Sequence, residues 1–109
     1  MQLKSIDTKG SQPADTTGSD LLVAKALAAA ARGDVSTLFD LGVVYSTGSH
    51  GVKCDLIEAH KWFNIAAARG HEDAAYCRAD VSDEMTAREI AEAQRRAREW
   101  LAQDRRNAA

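Results

Sequence analysis

Four side chains of the types that bind metal ions lie close together in the chain: His50, Cys54, Asp55 and His60. Structural zinc sites use Cys and His ligands, which usually come in closely spaced pairs. The spacing H-x3-C-D-x4-H contains no such pair, and Asp55 is expected to cap a helix instead. We interpret His60 as an exposed residue of that helix. The sequence therefore predicts no metal site, and nothing else in it indicates a cofactor.

The remaining reactive side chains form no recognisable catalytic set. Cys54 and Cys77 are the two cysteines of the chain, and without an export signal both are expected to be reduced thiols. Cys77 is expected to be a small core residue. The sequence contains no G-x-S-x-G motif, no phosphate-binding loop, and no serine or cysteine that a predicted helix would bring to a histidine. We expect neither enzymatic activity nor a small-molecule substrate.

The C-terminal region carries several basic residues: Arg88, Arg95, Arg96, Arg98, Arg105 and Arg106. A nucleic-acid-binding surface needs unpaired basic charge on one face. Here glutamates and an aspartate interleave with the arginines, which indicates a salt-bridged surface facing solvent. The formal net charge of the 109 residues is −2, so no overall field favours nucleic acid or an anionic membrane. We predict neither as a partner.

The sequence also gives an expectation about location. Residues 1–19 contain no apolar stretch of the kind found in a signal peptide. The longest apolar run, residues 21–31, is too short to cross a bilayer. We therefore predict a cytoplasmic protein.

Helices must position these side chains, because apolar residues recur at steps of three and four through most of the chain. The clearest case is a pair of helices within residues 35–70, separated by a glycine-containing loop. Gly42 lies inside the first helix, where glycine costs ~1 kcal/mol relative to alanine. We interpret it as a point of close approach, opposite Trp62 or Ala66 of the second helix.

Several residues are of the types that end or begin helices. Gly48 suits the position just past a helix end, where the backbone turns left-handed. Asp55 with Glu58, and Thr86 with Glu89, have the spacing of a capping box, in which each side chain accepts a hydrogen bond from the other residue's backbone N–H. These two pairs predict the starts of two helices.

The central stretch is similar to the Sel-one-like repeat, a relative of the tetratricopeptide repeat. The pattern L-G-x-x-Y-x-x-G followed by G-V-x-x-D-x-x-x-A-x-x-W-F-x-x-A-A-x-x-G carries the resemblance. Its matching positions are Leu41, Gly42, Tyr45, Gly48, Gly51, Val52, Asp55, Ala59, Trp62, Ala66, Ala67 and Gly70. The resemblance covers one full repeat, about a third of the chain. It implies a helix-pair solenoid that acts as an adaptor holding protein or peptide partners.

A second copy of part of this pattern is visible elsewhere in the chain. The tetrapeptide A-A-R-G at residues 30–33 returns at residues 67–70, a shift of 37 residues that fits a helix-pair repeat. In this register residues 20–32 form the second helix of an earlier repeat, with Lys25 in the tryptophan position. Residues 71–83 begin a decayed next repeat, and residues 86–104 form the last helix, with a polar outer face.

We therefore predict an all-α fold, a short α/α solenoid or tetratricopeptide-like superhelix of about one full repeat flanked by half-repeats, with five helices. Residues 1–19 are predicted to be a disordered tail by composition, residues 20–104 the repeat domain, and residues 105–109 a frayed end. The predicted core consists of Leu27, Phe39, Leu41, Tyr45, Val52, Trp62, Phe63, Ile65, Tyr76, Ile90, Trp100 and Leu101.

The function predicted from the resemblance is a non-enzymatic protein–protein interaction module with a protein or peptide partner. In solenoids of this kind the first helix of each pair lines the concave side. We place the binding surface on the residues of that helix that point away from the predicted core, with plain solvent exposure as the open alternative: Ser36, Asp40, Val43 and Thr47.

A second hypothesis is a self-assembling structural subunit. Residues 20–32 are apolar nearly all the way round, as expected of a helix that lacks one of its neighbours. Leu21 or Leu22, with Ala28, is predicted to contact either a second copy in a homodimer or a partner helix that replaces the missing one. The open alternative is that alanine is simply tolerated on a surface.

Overall fold

The computed structural model of the protein describes the backbone of residues 11–108 and the side chains of residues 20–108. It contains five helices, and no β-strand occurs in this range. The predicted all-α class and the number of helices are thus confirmed. No helix of the described range is long and apolar enough to cross a membrane. The helices are α1 (Ser11–Ala31), α2 (Val35–Thr47), α3 (Leu56–Ala68), α4 (Glu72–Ser82) and α5 (Ala87–Ala108).

The first helix is longer than predicted. Helix α1 begins at Ser11 rather than near residue 20, so residues 11–19 of the predicted disordered tail are helical, whereas residues 1–10 lie outside the described residues. Pro13 falls in the first turn, where a backbone N–H would have no partner within the helix, so a proline costs little there.

The last helix is also longer than predicted. Helix α5 continues through residues 105–108, which were expected to fray. Side-chain hydrogen bonds at one-turn spacing join Gln103 to Asn107 and Arg106 to Gln103. Arg105 and Arg106 also lie in the last turn, where positive charge interacts favourably with the helix dipole.

The turn between α1 and α2 has the same geometry as the turn between α3 and α4, 37 residues later. Gly33 and Gly70 have φ angles of 90° and 96°. The next residue is the N-cap in each case: Asp34 accepts a hydrogen bond from the backbone N–H of Thr37, and His71 accepts one from that of Ala74. The A-A-R-G tetrapeptide therefore marks a turn that recurs in three dimensions.

In the loop between α2 and α3, only one of the two hydrogen bonds of the predicted capping box is made. Gly48 adopts the left-handed conformation expected of it, with φ at 70°. The Asp55 carboxylate accepts a hydrogen bond from the N–H of Glu58 at 3.2 Å. The reciprocal bond is absent, because the Asp55 N–H donates to the carbonyl of Tyr45 at 2.9 Å. In the second predicted box, Thr86 and Glu89 make both bonds.

Helix α3 is the centre of the fold and packs against α2, α4 and α5, while α1 packs on α2. It is consequently buried on more than one face. His60, which we had predicted to be exposed, is only 2% exposed. That prediction is wrong because one-sided amphipathicity does not apply to a helix with neighbours on three sides. Its Nδ1 has no hydrogen-bond partner among the described residues.

The core contains most of the predicted large residues. Leu41, Val52, Trp62, Phe63 and Ile65 are buried, and Phe39, Tyr45, Trp100 and Leu101 pack against them while remaining partly exposed. The prediction missed Leu38, which is fully buried. It was wrong for Leu27 and Tyr76, which are 38% and 74% exposed.

The exposure of Tyr76 has a physical reason. Phe39, 37 residues earlier, stacks on the ring of His71 with 4.2 Å between ring centroids. His71 is the N-cap of the next helix in the series. Within residues 20–108, no histidine follows Tyr76 at the same distance, because the position 37 residues after His71 is Ala108, at the end of helix α5. The ring of Tyr76 therefore lacks the stacking partner that helps to cover Phe39.

The close approach at Gly42 differs in detail from the prediction. A Cβ atom placed on Gly42 would lie 2.5 Å from the ring of Phe63, so Phe63 fills this site rather than Trp62 or Ala66. Trp62 is buried as expected, but it faces the other way and makes an edge contact with Trp100 at 5.7 Å between ring centroids. Trp62 therefore joins α3 to α5, and Phe63 joins it to α2.

The first prediction concerns Gly42. Adding a methyl group beneath a buried ring costs about 1–3 kcal/mol, which exceeds the gain of ~1 kcal/mol in helix propensity. We expect Gly42→Ala to lower the free energy of unfolding measured by urea denaturation. Combining it with Phe63→Leu should destabilise less than the sum of the two single substitutions. If Gly42→Ala stabilises the protein, helix propensity dominates and the packing described here is wrong.

The second prediction concerns pH. Burial lowers the pKa of His60, and the nearby charge of Arg78 lowers it further. The unfolded chain, with a pKa of about 6.5, therefore takes up a proton that the folded protein resists. The contribution of neutral His60 to stability is complete above that pH and declines as the pH falls, by at most about 1.4 kcal/mol per pH unit for one proton.

Urea denaturation of the wild type and His60→Leu at several pH values tests this. The stability of the variant relative to the wild type should rise as the pH falls from about 7.5 to about 5.5. His50→Asn is the matched control, because His50 is exposed and has a φ of 58°, which asparagine tolerates. A pH-independent difference between the wild type and His60→Leu would contradict the prediction.

Candidate functional site

The residues considered as metal ligands do not converge. His60 lies in the core, while His50, Cys54 and Asp55 are exposed in the loop before α3. Within residues 20–108, no group of three His, Cys, Asp or Glu side chains is arranged to hold a metal ion. Cys54 and Cys77 are both free thiols. Burial, with the charges of Asp80 and Asp73, raises the pKa of the Cys77 thiol, which makes it less nucleophilic.

Two of the six arginines of α5, Arg95 and Arg96, form ion pairs with interleaved glutamates. Arg95 contacts Glu92 and Glu99 at 2.6 Å each, and Arg96 contacts Glu92 at 2.7 Å. Hydrogen bonds from Arg95 and Arg96 lower the pKa of Glu92 to about 2. Arg96 also reaches Glu58 of α3 at 2.8 Å. Arg96 therefore joins α5 to α3, whereas Arg95 forms its pairs within α5.

An apolar depression lies between α1 and α2, and we call it the α1–α2 groove. It has a volume of about 270 Å³. Most of its lining is aliphatic, with one positive and one negative side chain, Lys25 and Asp40. Its lining residues are Leu22, Val23, Lys25, Ala26, Ala29, Thr37, Asp40, Leu41 and Val44.

The α1–α2 groove continues toward the loop after α2. A second depression of about 310 Å³ shares Leu22, Asp40 and Val44 with it and adds Val43, Ser49 and His50. The two depressions together follow α2 from its first turn to the loop beyond its end. This length is what an extended segment or a helix of several turns would contact.

The structure brings together residues from two separate predictions. Leu22, predicted for self-assembly, and Asp40, predicted for the concave surface, line the same groove, and Val43 borders its continuation. Leu21 is 55% exposed and does not line the groove. The two hypotheses thus concern one surface rather than opposite faces of the domain.

Two of the predicted residues have local roles instead. The Ser36 hydroxyl donates to the Asp34 carboxylate at 2.7 Å. The Thr47 hydroxyl donates to the carbonyl of Val43 at 2.9 Å. Both side chains are exposed, and both stabilise the ends of α2. Neither lines the α1–α2 groove or its continuation.

Another depression lies between α2 and α4 over helix α3, and we call it the α2–α4 groove. Its volume is about 260 Å³, and it differs from the α1–α2 groove in charge, because both of its charged side chains are acidic. Its lining residues are Val43, Ser46, Leu56, Phe63, Cys77, Asp80, Val81 and Glu84.

Sequence reasoning missed most of the residues that line the α1–α2 groove, chiefly the aliphatic residues of α1 and Val44. A signal for them was present in the 37-residue shift. Adding 37 to Ala26, Thr37 and Val44 gives Phe63, Ala74 and Val81, all of which are buried. Positions whose later copies are buried, but which are themselves partly exposed, mark a surface that lacks a neighbour.

Chemically, the α1–α2 groove offers aliphatic contact and two rim charges. Burial of apolar side chains is therefore the main interaction available to a ligand there.

Comparison with known proteins adds no relative to this description. No protein-family model, no curated protein and no solved structure matches the chain.

Proposed function

We propose that the chain is a non-enzymatic protein–protein interaction module, an adaptor that holds a protein or peptide partner. The observation that carries the proposal is the α1–α2 groove, an aliphatic surface formed by two helices and left partly exposed. Exposed apolar grooves of this kind are typical of sites where proteins bind other proteins.

The arrangement of helices supports this proposal in a second way. The recurring turns after α1 and α3, together with the resemblance of residues 41–70 to the Sel-one-like repeat, favour a short tetratricopeptide-like solenoid. Repeat domains of that type bury each unit against its neighbours and use the remaining surface for binding. We further propose a cytoplasmic location, where Cys54 and Cys77 would stay reduced.

The main alternative is a self-assembling subunit, and one observation favours it. Leu21 and Leu27 of α1 are 55% and 38% exposed, so this helix presents large aliphatic side chains outside the groove as well. A second copy could cover them in a two-fold dimer.

The third prediction tests the adaptor function. In affinity capture from the native cell, the wild type should retain a partner in fixed stoichiometry. Leu22→Glu with Ala29→Glu places two charges in the groove and should reduce the recovered partner by about tenfold or more, because unpaired charges are costly to bury. The matched control is Ala91→Glu with Gln94→Glu, two exposed positions on α5.

Retention of the partner by the groove variant, or its equal loss from the control, would contradict the proposed surface. Circular dichroism and thermal melting of both variants establish that the fold is intact.

The fourth prediction separates the adaptor from the self-assembling subunit. Light scattering at high micromolar concentration should give the mass of one chain, 11.8 kDa, for both the wild type and Leu21→Glu. A wild-type dimer that Leu21→Glu dissociates would instead support self-assembly through the exposed side of α1.

A further inference from the structure

The α1–α2 pair and the α3–α4 pair correspond residue by residue at a shift of 37. Ala31 and Ala68 end the first helix of each pair, and Val35 and Glu72 begin the second. The backbone of the turn makes the same bonds in both: the N–H of Asp34 donates to Ala29, and that of His71 donates to Ala66. Each residue of the α1–α2 groove therefore has a counterpart on the α3–α4 pair.

Most of the counterparts are buried, whereas Cys77 and Arg78, which correspond to Asp40 and Leu41, are partly exposed. Ala59, Phe63, Ala66, Ala74 and Val81 are all less than 9% exposed. Their equivalents in the α1–α2 groove remain partly exposed: Leu22, Ala26, Ala29, Thr37 and Val44. Several equivalent positions are thus buried on the α3–α4 pair and partly exposed on the α1–α2 pair.

Helix α2 covers the α3 side of the α3–α4 pair. Its Gly42 lies against the ring of Phe63, and its Val43 and Ser46 border the depression that Cys77 and Val81 line from α4. Helix α2 packs along α3. The chain therefore contains an example of what fits this surface, namely an amphipathic helix.

The two surfaces differ at several positions, and the difference at Ala26 and Phe63 changes the space opposite position 42 of a covering helix. The α3–α4 surface carries Phe63, and its ring leaves no space for a side chain at Gly42. The α1–α2 groove carries Ala26 at the corresponding position. With a methyl group in place of a ring, the open surface has room for a large side chain where α2 has none.

We propose that the α1–α2 groove binds an amphipathic helix of a partner protein, seated against α1 as α2 is seated against α3, with a leucine or larger apolar side chain against Ala26. The inference rests on the proposed function and names the structure and the shape of the partner segment. With one lysine and one aspartate on its rim, the groove selects by apolar shape rather than by charge.

The probes are two peptides with the sequence of residues 35–47, the segment that forms α2. One keeps glycine at position 42, and the other has leucine there. In both peptides lysine replaces Ser36, and a lactam bridge joins its amine to the Asp40 carboxyl, at two positions that are exposed in α2. The bridge holds each peptide helical, because an isolated helix of this length is marginal in water. Calorimetric titration measures the affinity of each peptide for the full chain.

The leucine peptide should bind the wild type about tenfold more tightly than the glycine peptide, since it buries one more aliphatic side chain. Ala26→Phe restores the ring found at position 63 and should reverse the preference. Ala29→Glu should remove binding of both peptides, and the exposed control Ala91→Glu should leave it unchanged. Thermal melting of each variant confirms folding.

Equal affinity of the two peptides for the wild type overturns the inference, as does a preference that Ala26→Phe leaves unchanged. If Ala26→Phe does not fold, the inference is tested by the difference in affinity of the two peptides for the wild type and by the loss of peptide binding in Ala29→Glu. A wild-type dimer that Ala29→Glu dissociates, with no peptide binding, would make a second copy the occupant and also overturn it.

The experiment distinguishes this inference from the proposed function. A chain that discriminates between the peptides but captures no partner in the cell contradicts the adaptor function while the helix specificity of the groove stands. A partner that binds the groove through a non-helical segment supports the function and overturns the inference.

Discussion

The packing of the whole domain depends on the absence of a side chain at Gly42. The ring of Phe63 occupies the space that a Cβ atom would take, so α2 and α3 approach more closely than two side-chain-bearing helices could. The loop between these helices is fixed to α2, since the Asp55 N–H donates a hydrogen bond to the carbonyl of Tyr45. With α2 packed closely on one side of α3, helices α4 and α5 pack on the other sides of α3. Helix α1 packs on the outer side of α2.

This arrangement explains which features of the structure could be predicted from the sequence. Helix number, capping at Asp55 and Thr86, and the ion pairs of α5 depend on residues three or four apart, so local spacing was sufficient to predict them. The helices that Trp62 and Phe63 contact depend on the directions in which these two adjacent side chains point. Both residues are aromatic and both are buried, so composition alone could not separate them.

His60 and Tyr76 were assigned to the wrong environment, because the burial of each depends on neighbours that are distant in the sequence. His60 looked like a surface residue because polarity usually marks the solvent side of a helix, yet α3 has little solvent side. Tyr76 looked like a core residue because Phe39 precedes it by 37 positions, yet it lacks the histidine ring that covers Phe39. Most residues of the α1–α2 groove were missed for a related reason, since they are aliphatic like the core and differ only in what lies over them.

The stacked pair of Phe39 and His71 has a consequence for how such a chain can grow. Phe39 is covered by the capping residue of the helix pair that follows it, so the interaction crosses the boundary between two pairs rather than closing within one. Duplicating residues 35–71 in tandem would carry the glycine, the histidine cap and the aromatic together, so each copy of Phe39 would again meet a histidine. Gene duplication would then lengthen such an array with the same contacts at every junction.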